Sequence, residues 1–170
     1  AIDQTAAPIK PFDEPLITVT FDDGWESIYA DGMPLLNRYG IPTTQYVLSG
    51  VFDDRNYLTM EQIKAMQKSG HEIGCHSIDH SDMTTLNAMM LQKQLKDCQD
   101  ILQNGLGTSV EHFASPYGSS NPQTIAAIRQ YYRSHRNTNG DIVRNGVNEQ
   151  DVNMRASFNL YNIHAITIRR

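Results

Sequence analysis

Apolar and polar positions alternate between two rhythms along the chain. Residues 16–21, LITVTF, form a β-prone run apolar enough to be buried on both faces, as a parallel strand is. Residues 43–48, 71–75, 112–114, 132–136 and 163–168 give five further strand candidates. Helical spacing fills the gaps. One helical stretch runs to Arg38, with Pro34 near its start or at a kink and Gly40 as its C-terminal cap. Thr59 followed three residues later by Gln62 predicts a capping box, opening a helix that turns Ile63 and Met66 inward and stops at Gly70. Residues 86–102 carry Met90, Leu91, Leu95, Cys98 and Leu102 near helical spacing, the longest such pattern. Asn121-Pro122 reads as an N-cap followed by proline at the first helical position. Residues 137–153 are polar and rich in Asn and Gly and predict a long loop. Residues 1–15, rich in Pro and Ala, predict a lead-in arm to a single domain spanning 16–170.

Strand and helix in alternation predict an α/β fold built on a parallel sheet or a barrel. Both architectures place their site at the C-terminal ends of the strands. The chain has 170 residues, a length that suits one domain and buries roughly 70% of its unfolded surface. A formal charge of -5 argues against nucleic acid or an anionic membrane surface as partner. No apolar run is long enough to span a bilayer, and the first ten residues lack the apolar centre of a signal peptide. Two cysteines, Cys75 and Cys98, do not make a disulfide framework, and free, buried thiols are expected.

The strand ends change the picture. The first closes on Asp22-Asp23, two like charges side by side. This is either ordinary Asp-Gly turn chemistry, or a metal-binding carboxylate beside one that handles protons. The third runs into CHSIDH, where His76 and His80, four apart, are expected on one face of a helical turn. The fourth runs into SPYG. Two imidazoles and one carboxylate make a zinc-type centre with positions open to water and substrate. They also match the facial set of non-haem iron oxygenases. The spare carboxylate favours hydrolysis, which needs a base. The turn at Pro116-Tyr117-Gly118 offers backbone N–H groups to an oxyanion.

TFDDG at residues 20–24, HSIDH at 76–80 and SPYG at 115–118 resemble the polysaccharide deacetylase family, the NodB-homology domain of carbohydrate esterase family 4. The resemblance implies a distorted (β/α) barrel and metal-dependent removal of acetyl groups from sugars. It implies Asp22 as catalytic base, and a divalent metal, zinc by expectation, on Asp23, His76 and His80. Ser77 would support these ligands, and the Tyr117 N–H would serve as oxyanion donor. The expected substrate is an acetylated polysaccharide or oligosaccharide, foremost an N-acetylated amino sugar such as peptidoglycan, a chitin-like glycan or poly-N-acetylglucosamine. Acetylated xylan and a sugar-binding pseudoenzyme are the alternatives. The family's polymers imply an extracellular or cell-envelope location.

The chain departs from the family where an arginine should pair with the base and Ala114 stands instead. Trp25 is the only tryptophan, so the family's later tryptophan motif has no match. Leu160 and His164 match the late leucine-histidine motif only loosely, and a structural role is expected for His164. Alternation puts Tyr132, Ser134 and Arg136 on one strand face, and Arg136 is expected to replace the missing arginine beside Asp22. A last strand near the chain end predicts an open sheet edge, and hence an incomplete domain or a dimer formed by C-terminal swapping.

Overall fold

A computed structural model describes residues 16–141 and 159–167. The expected arm at residues 1–15 and the stretch 142–158 lie outside the described residues. Among the described residues there are six strands: β1 (Val19–Phe21), β2 (Thr43–Val47), β3 (Glu72–Cys75), β4 (His112–Ala114), β5 (Ser134–Asp141) and β6 (Ile163–Thr167). They pair in sequence order and all in parallel, a six-stranded α/β sheet curled into a half-barrel of the distorted (β/α) type. Among the described residues β1 and β6 are its open edges. Four helices cross between strands: α1 (Met33–Arg38), α2 (Met60–Lys68), α3 (Ala88–Leu106) and α4 (Pro122–Ile128).

Local chemistry fixes the helix starts. The Thr59 hydroxyl accepts from the Gln62 amide at 3.2 Å while the Gln62 side chain accepts from the Thr59 amide at 2.9 Å, completing the expected box at α2. Asn121 and Thr124 do the same for α4, with Pro122 at its first position. The stretch before α1 is a wide π-type turn, Ile28–Gly32, and only from Met33 does the chain become α-helical.

Three expectations fail within these elements. The first strand, expected over residues 16–21 and buried on both faces, covers only Val19–Phe21, and Leu16 and Ile17 are exposed. β5 runs on to Asp141, through residues expected in the loop. Its Asn- and Gly-rich half has little strand propensity, but it pairs with β6 from Arg136↔Ile163 through Asp141↔Thr167, and that ladder overrides propensity. On α3 the buried stripe is Leu91, Gln94, Leu95, Cys98 and Leu102. Met90 falls one position off it and is 40% exposed, whereas Gln94 takes the inward place because its side-chain amide finds partners at Ile78 and Asp79.

The core lies between the sheet and its helices, around Ile63, Met66, Ile73, Leu95, Phe113 and Tyr132. Cys75 and Cys98 meet there in a disulfide, correcting the expectation of free thiols. The end of β3 packs against the middle of α3. This brings the two Cα atoms to 6.4 Å, within bridging reach, although the residues are 23 apart in sequence. Closing a loop of that length removes chain entropy worth roughly 3 kcal/mol from the unfolded state. Substituting both cysteines by alanine should therefore lower the urea-unfolding free energy by about that amount, with reductant producing the same loss in the wild-type chain and none in the variant.

Candidate metal centre

Parallel pairing brings the C-terminal ends of β1, β3 and β4 to one rim, level with Arg136 near the start of β5, and each strand hands over residues singled out in the sequence. β1 ends at Phe21, so Asp22 and Asp23 follow immediately. Asp23 has φ 71° and Gly24 φ 82°, a left-handed pair that turns the chain away from the strand. The turn parts the two carboxylates. Asp22 accepts from the Arg136 guanidinium, a close ion pair with Arg136 almost wholly buried. Asp23 faces the histidines, with its Oδ1 at 3.4 Å from His76 Nε2 and 3.3 Å from His80 Nε2.

The histidines do not share a helical turn, as their spacing suggested. Ser77 (φ 79°) and His80 (φ 64°) both lie in the left-handed region, and the chain folds back as an irregular loop. That loop is tied on three sides. The Ser77 hydroxyl accepts from the His80 amide at 3.0 Å, and the Ser77 carbonyl accepts from the Ser49 amide at 3.1 Å. Gln94 on α3 accepts from the Ile78 amide and donates to Asp79, both at 2.9 Å. Gln94 escaped the sequence reading; its only signal was a polar residue on an otherwise apolar helix stripe.

The donor set fits a cation. His76 Nδ1 donates to the Ala114 carbonyl at 2.8 Å, which fixes the ring with Nε2 facing Asp23. Asp23 Oδ1 is buried and has no hydrogen-bond partner. The His76 ring holds the Asp23 carboxyl below the usual carboxylate range, and burial, followed by the neighbouring His76, pushes His80 below the ordinary imidazole value. The three ligand atoms lie within 4.8 Å of one another, close enough for one cation to sit between them. Among the described residues this is the one group of three or more such side chains able to hold a metal ion. A cavity of about 440 Å³ lies at the opposite ends of the strands beside Val19, Thr43 and Glu72, away from this cluster.

Arg136 stands directly across the ladder from Ala114, where the family resemblance left an arginine missing. Its guanidinium lies 5.1 Å from the centre of the Tyr46 ring, which needs Gly74 beside it, since a Cβ there would meet the ring at 2.6 Å. Tyr117 (φ 59°) is 67% exposed and sets its ring edge-on to His80 at 4.5 Å. Gly118, also left-handed at φ 67°, is obligatory there: a Cβ would come within 1.9 Å of the Thr138 hydroxyl. Beneath the turn, His135 Nδ1 donates to the Tyr161 carbonyl at 3.1 Å and Nε2 accepts from the Ser115 hydroxyl at 2.8 Å. His164 pairs in register with Asn137, on the sheet face opposite Arg136, and its ring contacts the Asn162 amide at 2.8 Å.

A sequence-family model for polysaccharide deacetylase matches residues 9–133, well over half of the chain. The chain belongs to the polysaccharide deacetylase family. A bifunctional xylanase/deacetylase of Pseudobutyrivibrio xylanivorans is 32% identical over 106 residues, covering 62% of this chain and 17% of that protein. A poly-β-1,6-N-acetyl-D-glucosamine N-deacetylase of Staphylococcus aureus (strain MRSA252) is 26% identical over 128 residues, covering 67% of this chain and 44% of that protein. The chain thus spans less than half the length of either relative. Among solved structures, the Streptococcus pyogenes deacetylase PplD in complex with acetate superposes with a TM-score of 0.75 at 24% identity, covering 89% of this chain and 63% of that one. That likeness establishes the deacetylase fold.

Two outcomes follow for the centre of this family member. His80→Ala should abolish stoichiometric uptake of a divalent cation, measured by elemental analysis after dialysis, because two ligands seldom hold a cation that three bind. His135 sets the acid limit of the scaffold. Burial pushes it from the ordinary 6.5 down to about 4, so below pH 6.5 the unfolded chain takes up a proton that the folded chain refuses. Stability should therefore fall as pH drops from 6.5 to 4, by up to about 3 kcal/mol from this group, and be unaffected by it above 6.5. His135→Gln should flatten that slope in urea unfolding at pH 7.5 and 4.5.

Proposed function

We propose that this domain is a metal-dependent hydrolase that removes acetyl groups from a carbohydrate polymer, in the first place from N-acetylated amino sugars. The observation that carries the reading is the division between the two adjacent carboxylates: Asp23 turned into the two histidines, Asp22 held apart by a buried guanidinium. A base beside a cation site, and not within it, is what hydrolysis requires. A divalent cation on Asp23, His76 and His80 would supply Lewis acidity toward the acetyl carbonyl and lower the pKa of water, and zinc suits this ligand set.

The chain's own residues do the rest. Asp22 takes the proton of the attacking water. Arg136 and the Tyr46 ring behind it fix the orientation of that carboxylate. The Tyr117 N–H, on a turn braced by Gly118 and by the Ser115–His135 bond, donates to the carbonyl oxygen as negative charge develops there. With Arg136 opposite Ala114, the loss of the usual arginine no longer argues for a pseudoenzyme. The amino-sugar polymer draws support from the named substrate of the Staphylococcus aureus relative, and acetylated xylan from the xylanase/deacetylase. A buried disulfide supports an oxidising compartment, hence action outside the cytoplasm or in the cell envelope.

Acetate release from an N-acetylated chito-oligosaccharide and from a chromogenic acetyl ester, with and without chelator, tests the reading. Chelator-sensitive release is expected, and a metal-loaded chain that frees no acetate from either overturns it. Asp22→Asn should keep the metal and lose on the order of 10²–10⁴ in kcat, the usual size of general-base catalysis.

A further inference from the structure

Trp25 follows the two aspartates and is 42% exposed, an odd place for the chain's single tryptophan. Its indole Nε1–H donates to Asp23 Oδ2 at 3.2 Å. The other oxygen, Oδ1, is the buried atom without a partner that sits between the two histidines. One carboxylate therefore has its two oxygens assigned to different tasks.

We infer that Trp25 is a positioning residue for the cation, holding Asp23 so that it offers a single oxygen; the inference rests on the functional reading above. A carboxylate on a short side chain turns readily about its last bond, and a free one can present both oxygens or swing out of line. The indole N–H removes Oδ2 from that choice with a charge-assisted hydrogen bond. The ring is itself held. It stacks on Tyr57 with centroids 4.6 Å apart and an interplanar angle of 22°, and the two residues form an antiparallel bridge. The Glu26 amide donates to the Asn56 carbonyl at 2.8 Å and the Leu58 amide to the Gly24 carbonyl at 2.9 Å, on either side of the ring pair. Residues 24–26 are thus clamped to residues 56–58, and the clamp aims one N–H at one oxygen. Partners of metal ligands placed in this way are worth about 10–100-fold in metal affinity.

Competition between the protein and a chromogenic zinc chelator reads the affinity directly, without turnover. Trp25→Phe keeps an aromatic ring on Tyr57 and removes the donor. It should bind zinc about 10–100-fold more weakly, with the melting temperature of the metal-free chain little changed. Because Trp25 is the single tryptophan, residue-wide replacement by the benzothiophene analogue changes this ring alone. That analogue exchanges N–H for sulfur at nearly constant shape, so a ring with a purely packing role would not register it; the same loss of affinity is expected. Wild-type affinity in the benzothiophene protein overturns the inference and leaves the functional reading intact. A wild-type chain that takes up no zinc at all overturns both.

Discussion

Parallel pairing carries every strand's C-terminal end to one rim, and the side chains of the site hang from that rim or from the loop that leaves it. Neighbouring strands in register place Ala114 across from Arg136, and Cys75 across from Phe113 just before His76. A slip of one residue would turn Arg136 into the helix layer and bring Asn137 to Asp22. β4 is only three residues long, and the packing of Phe113 against Tyr132 adds to its few ladder bonds in holding that register. The site's geometry is therefore a property of the sheet.

What the sequence made legible were features with a local cause. The box at Thr59 and Gln62 needs four residues, and the apolar strand runs need six. The three motifs stood out because each followed a strand candidate, and the alternation of Ser134 and Arg136 pointed to one face. Features caused by contacts distant in sequence were not legible. β5 is a strand beyond Asn137 only because β6 lies beside it, and Cys75 meets Cys98 only because β3 docks on α3. The spacing of His76 and His80 suggested a helical turn because spacing does not encode backbone sign; the left-handed conformations of Ser77 and His80 give the same proximity by another path. Gln94 and Trp25 were overlooked for a similar reason: their value lies in hydrogen bonds, of Gln94 with Ile78 and Asp79 and of Trp25 with Asp23, and a propensity pattern has no term for that.

Adjacent carboxylates would ordinarily work against each other. Here the left-handed turn at Asp23 sends them to different partners, one to a guanidinium and the other to two imidazoles. The turn thus gives each carboxylate its own partners. The aromatic residues serve the same end. Tyr46 backs Arg136, Trp25 caps Asp23, and Tyr117 meets the edge of His80. Of these rings Tyr46 is buried, while Trp25 and Tyr117 are open to solvent.

The bond between Cys75 and Cys98 lies one residue before His76 and four residues after Gln94. It fastens the start of the histidine loop and the helix that braces it to the same point in the core. Proteins often breathe by releasing such loops piecemeal, each with its own small opening free energy, and loops that carry ligands are commonly among the first to go. Here that partial opening is denied to the base of the loop, since neither β3 nor α3 can part from the other while the sulfurs are joined. Amide protons around His76 should then exchange with solvent only when the whole domain opens.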